Sequence, residues 1–114
     1  FKNELKNVKS INLNKESTNT KSIYWMSSIF LNKKNKCSQK FLVDKLFKSK
    51  IDTRPVFPEL SSFKIWNKRS KIKKKYNNSF LIGNRSINLP SGVCLTQKKI
   101  KYISSKIKLI LKKK

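Results

Sequence analysis

Apolar and polar residues recur at two different periods along the chain, and the changes of period divide it into elements. Residues 1–9 place Phe1, Leu5 and Val8 on one face, the spacing of a helix end. Residues 11–21 are rich in Asn, Thr and Lys and read as a loop. In residues 22–31, Ile23, Trp25, Ile29 and Leu31 alternate with Tyr24, Met26, Ser28 and Phe30. Both sets are largely apolar, which predicts a central strand covered on both faces. Residues 32–36 read as a charged turn. Ser38 can cap a helix over residues 39–50, whose apolar stripe is Leu42, Val43, Leu46 and Phe47.

Beyond this helix the elements become shorter. Arg54 and Phe57 each precede a proline, which pushes them out of helical geometry, so residues 51–57 read as extended. Pro55 and Pro58 cannot donate to a ladder, and this strand is expected at a sheet edge. Residues 60–66 are expected to form a short helix or turn around Phe63 and Trp66, and residues 80–82 to pack on the core. Residues 87–89 read as a short strand and Pro90-Ser91-Gly92 as a turn. Thr96 then caps a last helix carrying Ile100, Ile103, Ile107, Ile110 and Leu111, and the lysines at 112–114 suit its C-terminal dipole. The order β–α–β, irregular, β–α predicts an α+β (α/β) unit, a small sheet covered by helices.

Charge complicates the picture. The 114 residues include 29 Lys+Arg against 5 Asp+Glu, a net charge of +24. One compact domain fits this length. Such a charge raises nucleic-acid binding, which is driven by phosphate neutralisation. The arginines are only Arg54, Arg69 and Arg85, however, and base-reading interfaces favour the arginine fork. The lysines are spread along the whole chain, Asn, Ile and Ser are abundant, and Ala is missing. An AT-rich coding sequence accounts for that composition without selection for a basic surface. The absence of His excludes His-based acid–base chemistry and His metal ligands. Cys37 and Cys94 form no CxxC pattern and read as free thiols in a reducing cytosol, so a cytoplasmic location is expected. No apolar run approaches the roughly 18 residues that span a bilayer. The first residue is Phe1 and the sole methionine is Met26, so a fragment or processed piece is expected.

Four segments carry more information than the composition. They are Tyr24-Trp25-Met26-Ser27-Ser28-Ile29, Ile51-Asp52-Thr53-Arg54-Pro55, Leu60-Ser61-Ser62-Phe63, and Ile87-Asn88-Leu89-Pro90-Ser91-Gly92-Val93-Cys94-Leu95-Thr96. Their order and spacing resemble the C-terminal part of the DegT-like sugar-nucleotide aminotransferases, pyridoxal-phosphate enzymes that include perosamine synthases. In that family a "YWM" strand, a helix, a "GI(D/E)TRP" strand and an "LPSG…LT" turn precede the last helix. The resemblance covers essentially the whole chain. It implies the C-terminal small domain of a fold type I aminotransferase. Residues 1–21 would be the end of an inter-domain helix and its loop, and residues 22–114 the small domain, with the large cofactor-binding domain absent.

The same resemblance implies a transaminase that moves an amino group from an amino acid, glutamate in the usual case, to a keto sugar nucleotide. Pyridoxal phosphate carries that chemistry as an electron sink. Its lysine and its other main contacts lie on the large domain in the family, so this chain is expected to hold no catalytic residue and to be inactive alone. The implied partners are the nucleotide sugar, the amino-acid donor, the large domain, and a second copy in a homodimeric parent. Arg54 would face the cleft and bind the sugar nucleotide or the donor, since its fork suits a carboxylate or diphosphate. The other reading of Arg54 is a surface residue paired with Asp52 or Glu59. Phe57 either lines the cleft mouth, as a substrate-binding residue, or belongs to the core. Tyr24 and Trp25 read as core or domain interface, Asn88 as polar lining or, in preference, strand surface, and the basic run 71–75 as a solvated face. The chain departs from the family at Val56, where an aromatic is common, and at Pro58-Glu59, where a "YP" pair is common. Two alternatives stand beside this reading: a small basic nucleic-acid-binding module of ribosomal type, and a membrane anchor formed by the last helix.

Overall fold

The computed structural model describes residues 1–69 and 77–112, and the side chains of all of these but 67–69. Four antiparallel strands form one sheet in the order β1-β2-β4-β3. They are β1 (Ile11–Leu13), β2 (Ser27–Leu31), β3 (Arg54–Pro55) and β4 (Ser86–Leu89). The register sets Ile11 opposite Leu31, and Ile29 and Pro55 on either side of Ile87. Side chains alternate between faces along a strand. One face therefore gathers Ile11, Ile29, Leu31, Ile87 and Leu89, all buried.

Three helices supply the rest of the core on that side. They are α1 (Lys2–Leu5), α2 (Gln39–Lys48) and α5 (Gln97–Lys112). Leu5, Leu42, Leu46, Ile103 and Ile107 interlock with the strand residues in one cluster. Two further helices, α3 (Lys64–Arg69) and α4 (Asn77–Arg85), follow β3 in the chain, and α4 packs against β2.

Local chemistry explains where the long helices begin and end. The Ser38 hydroxyl accepts from the Phe41 amide at 3.2 Å, and the Thr96 hydroxyl from the Lys99 amide at 3.3 Å. Both act as N-caps, as the sequence predicts. At the far end of α2, the Lys50 amide donates to the Phe47 carbonyl (2.9 Å) and the Ile51 amide to the Leu46 carbonyl (3.0 Å). This is a Schellman closure, sealed by contact between two buried side chains, Leu46 and Ile51. It forces Lys50 to φ +60°, a left-handed conformation that costs a non-glycine residue about 1 kcal/mol.

Several expectations are corrected. The strand predicted over residues 22–31 starts only at Ser27. Tyr24 has φ +49°, which an extended strand does not allow. The Asn14 side chain accepts from the Ser28 amide (2.8 Å) and donates to the Met26 carbonyl (3.1 Å), standing in for a strand partner there. Ile23 and Trp25 are 91% and 70% exposed, so this stretch is not core. Residues 11–21, read as a loop, contain β1. Phe47 is exposed because it lies about 100° round α2 from the buried Leu46. Phe80 and Ile82 are also exposed and do not join the core. The turn read at Pro90 to Gly92 falls later, closed by the Leu95 amide on the Gly92 carbonyl at 3.1 Å.

The basic run 71–75 lies outside the described residues. Cys37 is buried and Cys94 exposed, and both are free thiols. The α5 stripe of Ile103 and Ile107 is buried in the core, which removes it as a membrane anchor. No described helix is long and apolar enough to cross a membrane.

Candidate functional site on the second sheet face

The face of the sheet away from the core is built by the same register. Arg54 pairs with Asn88, and Asn88 with Ser28, so these three residues form one row across β3, β4 and β2. The Ser28 hydroxyl donates to the Asn88 side-chain oxygen at 2.6 Å. Arg54 is held at the sheet edge because Val56 continues the pairing, its amide donating to the Ser86 carbonyl at 3.1 Å. The Arg54 side chain is 78% exposed and lies 3.1 Å from Asp52 Oδ2. Such an exposed pair is worth at most about 1 kcal/mol, so it yields easily to a better partner. Between them Thr53 turns inward and is buried, its hydroxyl without a partner. Asn88 is strand surface as expected, though half-buried and hydrogen-bonded.

Phe57 is 69% exposed and is therefore not a core residue. Its backbone position is set from behind by α4. A Cβ at Gly83 would come within 3.3 Å of the Phe57 carbonyl oxygen and of Pro58 Cα, so a larger residue there would press the two backbones apart by a few tenths of an ångström. Two side chains lock the α4–β4 junction that carries these residues. Gln39 donates to the carbonyls of Gly83 and Ser86. Arg85 donates to the carbonyls of Leu31 (2.8 Å), Asn32 (2.6 Å) and Asn35 (2.9 Å). Sequence reading singled out neither as a structural residue. Their bonds span 44 residues or more, and no local spacing announces them.

Exposed apolar side chains gather on the two segments that precede β2 and follow β3. Ile23, Tyr24 and Trp25 project from one loop, and Phe57, Leu60, Phe63, Ile65 and Trp66 from the segment after β3. Tyr24 and Trp25 are thus not core. Their loop is anchored by Glu16, which accepts from the Ser22 amide at 2.7 Å and lies 3.7 Å from Lys2 Nζ. The Ser22 N–H above all, then the Tyr24 side chain and Lys2, hold the Glu16 carboxyl below its ordinary value.

Pyridoxal phosphate would need an enclosed lysine, a carboxylate for its ring nitrogen and phosphate donors in one place. Among the described side chains every lysine is exposed except the half-buried Lys106. Of the carboxylates, Glu16, Asp44 and Asp52 are exposed; Glu59 has a buried, unpartnered Oε2, but no enclosed lysine stands among the described side chains to share a site with it. These residues do not assemble a site for that cofactor. Among the described residues there is likewise no cluster suited to a metal ion.

Comparison with solved structures shows the fold. PseC of Helicobacter pylori, an aminotransferase involved in the biosynthesis of pseudoaminic acid, superposes with a TM-score of 0.84 at 13% identity, over 99% of this chain and 30% of its own. A Streptococcus pneumoniae protein described as a sugar aminotransferase gives 0.83 at 16% identity, over 98% and 28%. The E coli GDP-4-keto-6-deoxy-D-mannose-3-dehydratase gives 0.78 at 15% identity, over 93% and 28%. The chain spans under a third of each of these proteins and matches the C-terminal part of the sugar aminotransferases. No curated protein matches it significantly in sequence. The segment order read from the sequence and the fold agree with the family model that matches residues 1–108: the chain belongs to the DegT/DnrJ/EryC1/StrS aminotransferase family.

Proposed function

We propose that this chain is the small domain of a pyridoxal-phosphate-dependent transaminase that moves an amino group from an amino acid, glutamate in the first instance, to a keto group on a nucleotide-linked sugar. The observation that carries this reading, within the family, is the apolar surface left uncovered. Ile23, Trp25, Phe57 and Leu60 are each about 70% exposed or more. Clusters of large exposed apolar side chains such as Ile23 with Trp25, and Phe57 with Leu60, suit docking against other protein. A large domain seated there would account for them and would bring the cofactor that these residues do not hold. When bound, the cofactor supplies the electron sink for amino transfer.

This chain's own part is to bind and to exclude water. Arg54 offers a guanidinium fork to a carboxylate or diphosphate once Asp52 is displaced. Phe57 presents a ring at the cleft mouth. The parent is a homodimer in this reading, and the chain alone is inactive. The nucleic-acid alternative is disfavoured because arginine forks, which base-reading favours, are few against the lysines, and one of them, Arg85, is committed to three backbone carbonyls. The test is to express the chain together with the sequence encoded before Phe1 and to assay amino transfer from glutamate to keto sugar nucleotides. Activity that falls in an Arg54→Gln variant supports the reading. An upstream sequence without a Schiff-base lysine domain overturns it.

A further inference from the structure

We propose that Asn88, held in place by Ser28, is a substrate-binding residue that works with Arg54 as a two-donor grip for an anionic oxygen group. The inference deepens the functional reading above and rests on it for the identity of the ligand. Its geometry stands on the sheet alone.

Arg54 and Asn88 are direct cross-strand partners. They form a hydrogen-bonded pair of the antiparallel ladder, because the pair two residues on, Val56 and Ser86, is joined by the Val56 amide. Cα atoms in such pairs are about 5.5 Å apart and both side chains stand on one face. Asn88 has one acceptor oxygen and one NH2 group. The oxygen is taken by the Ser28 hydroxyl at 2.6 Å, which fixes the orientation of the carboxamide. No described residue accepts from the NH2 group, so it is left to donate outward. A guanidinium and an oriented carboxamide side by side present donors only, the complement of a carboxylate or a phosphate. Among the described residues the one opposing group is Asp52, whose Oδ2 lies 3.1 Å from one terminal nitrogen of Arg54. It competes with a ligand for that side of the fork.

Two ligands share this chemistry: the carboxylate of the amino-acid donor and the diphosphate of the sugar nucleotide. Titrating the isotope-labelled 114-residue chain with glutarate and, separately, with inorganic pyrophosphate distinguishes them. The readout is the Asn88 side-chain NH2 resonance, and in the Asn88 variant the Arg54 Nε–H resonance, at about 0.15 M salt, where diffuse attraction to the lysines is largely screened. A saturable shift with glutarate assigns the grip to the donor, and one with pyrophosphate to the nucleotide. Asn88→Asp, which replaces the donors by a like charge at the same size, is expected to weaken binding about tenfold or more. Asp52→Asn is expected to tighten it. Ser28→Ala, which frees the carboxamide, should weaken it about threefold, and serves if the Asn88 variant loses its fold. Lys108→Gln on α5 should change it by less than about twofold.

The proposal is overturned if the Asn88 NH2 resonance is silent, if all lysine-bearing surfaces shift together without saturation, or if Arg54→Gln abolishes binding while Asn88→Asp leaves it intact. These outcomes leave the transaminase reading standing, because that reading fails on the upstream sequence and this one on the titration.

Discussion

On one side of the sheet, Ile29, Leu31, Ile87 and Leu89 meet Leu42, Leu46 and Ile107 and are sealed from water. Beyond it, in the loop before β2 and the segment after β3, side chains of equal size and greasiness stand in solvent: Ile23, Trp25, Leu60 and Ile65. The two regions do not differ in composition. They differ in whether a covering layer is present. A chain with enough apolar residues for two interfaces, and one of them open among the described residues, offers the surface that the proposed docking needs. The +24 charge obscures this, since bulk charge draws attention to phosphate while the burial pattern draws it to apolar contact.

The contrast can be broken by substitution. Ile29 is fully buried at the centre of β2, and Ile29→Ala should destabilise the chain by about 2–5 kcal/mol, read from denaturant midpoints. A loss under 1 kcal/mol would mean that the covered side is not the true core. Lys50→Gly should work the other way, raising stability by about 1 kcal/mol, because glycine enters the left-handed position at the end of α2 without steric cost. An unchanged or lower midpoint would refute the strained closure. Ile23→Ser with Trp25→Ser should move the midpoint by less than about 0.5 kcal/mol while reducing self-association, read by sedimentation. A large loss of stability would place those side chains in the core after all.

The smallest effect is local and depends on acid. Glu16 has a carboxyl held below its ordinary value by the Ser22 amide, so its contribution is complete above that ordinary value and fades as pH falls through the lowered one. Protection of the Ser22 amide from hydrogen exchange should therefore be present at neutral pH and disappear in strong acid, and Glu16→Gln should remove that dependence. Protection that persists unchanged into strong acid would show that other contacts order the loop.

Much of the closed side was legible along the chain. Capping hydroxyls three residues ahead of the amides they serve, and isoleucines at helical spacing, announce α2 and α5 locally. Pro55 and Pro58 place β3 at an edge for a reason internal to proline. Arg54 came from its motif, and the structure sets it on that edge. What escaped reading depends on distant partners. β1 is too short to show a period, and its existence rests on Leu31 and Ile29 opposite it. The alternation in residues 22–31 was a true pattern with the wrong cause, because a left-handed Tyr24 interrupts it. The roles of Gln39 and Arg85, and the row that joins Asn88 to Arg54, appear only once strands far apart in sequence are aligned.

Pro55 carries one last implication. With Val56 directed at Ser86, its neighbour in the chain faces the other way, and the amide hydrogen that proline lacks is the one that would have pointed off the rim of the sheet. A second chain arriving there finds no continuous backbone template to extend. Growth of a backbone ladder from the β3 edge is thus blocked, and any strand-to-strand stacking has only the three-residue β1 edge to start from; backbone cross-linking that maps to β3 in an aggregate would contradict this.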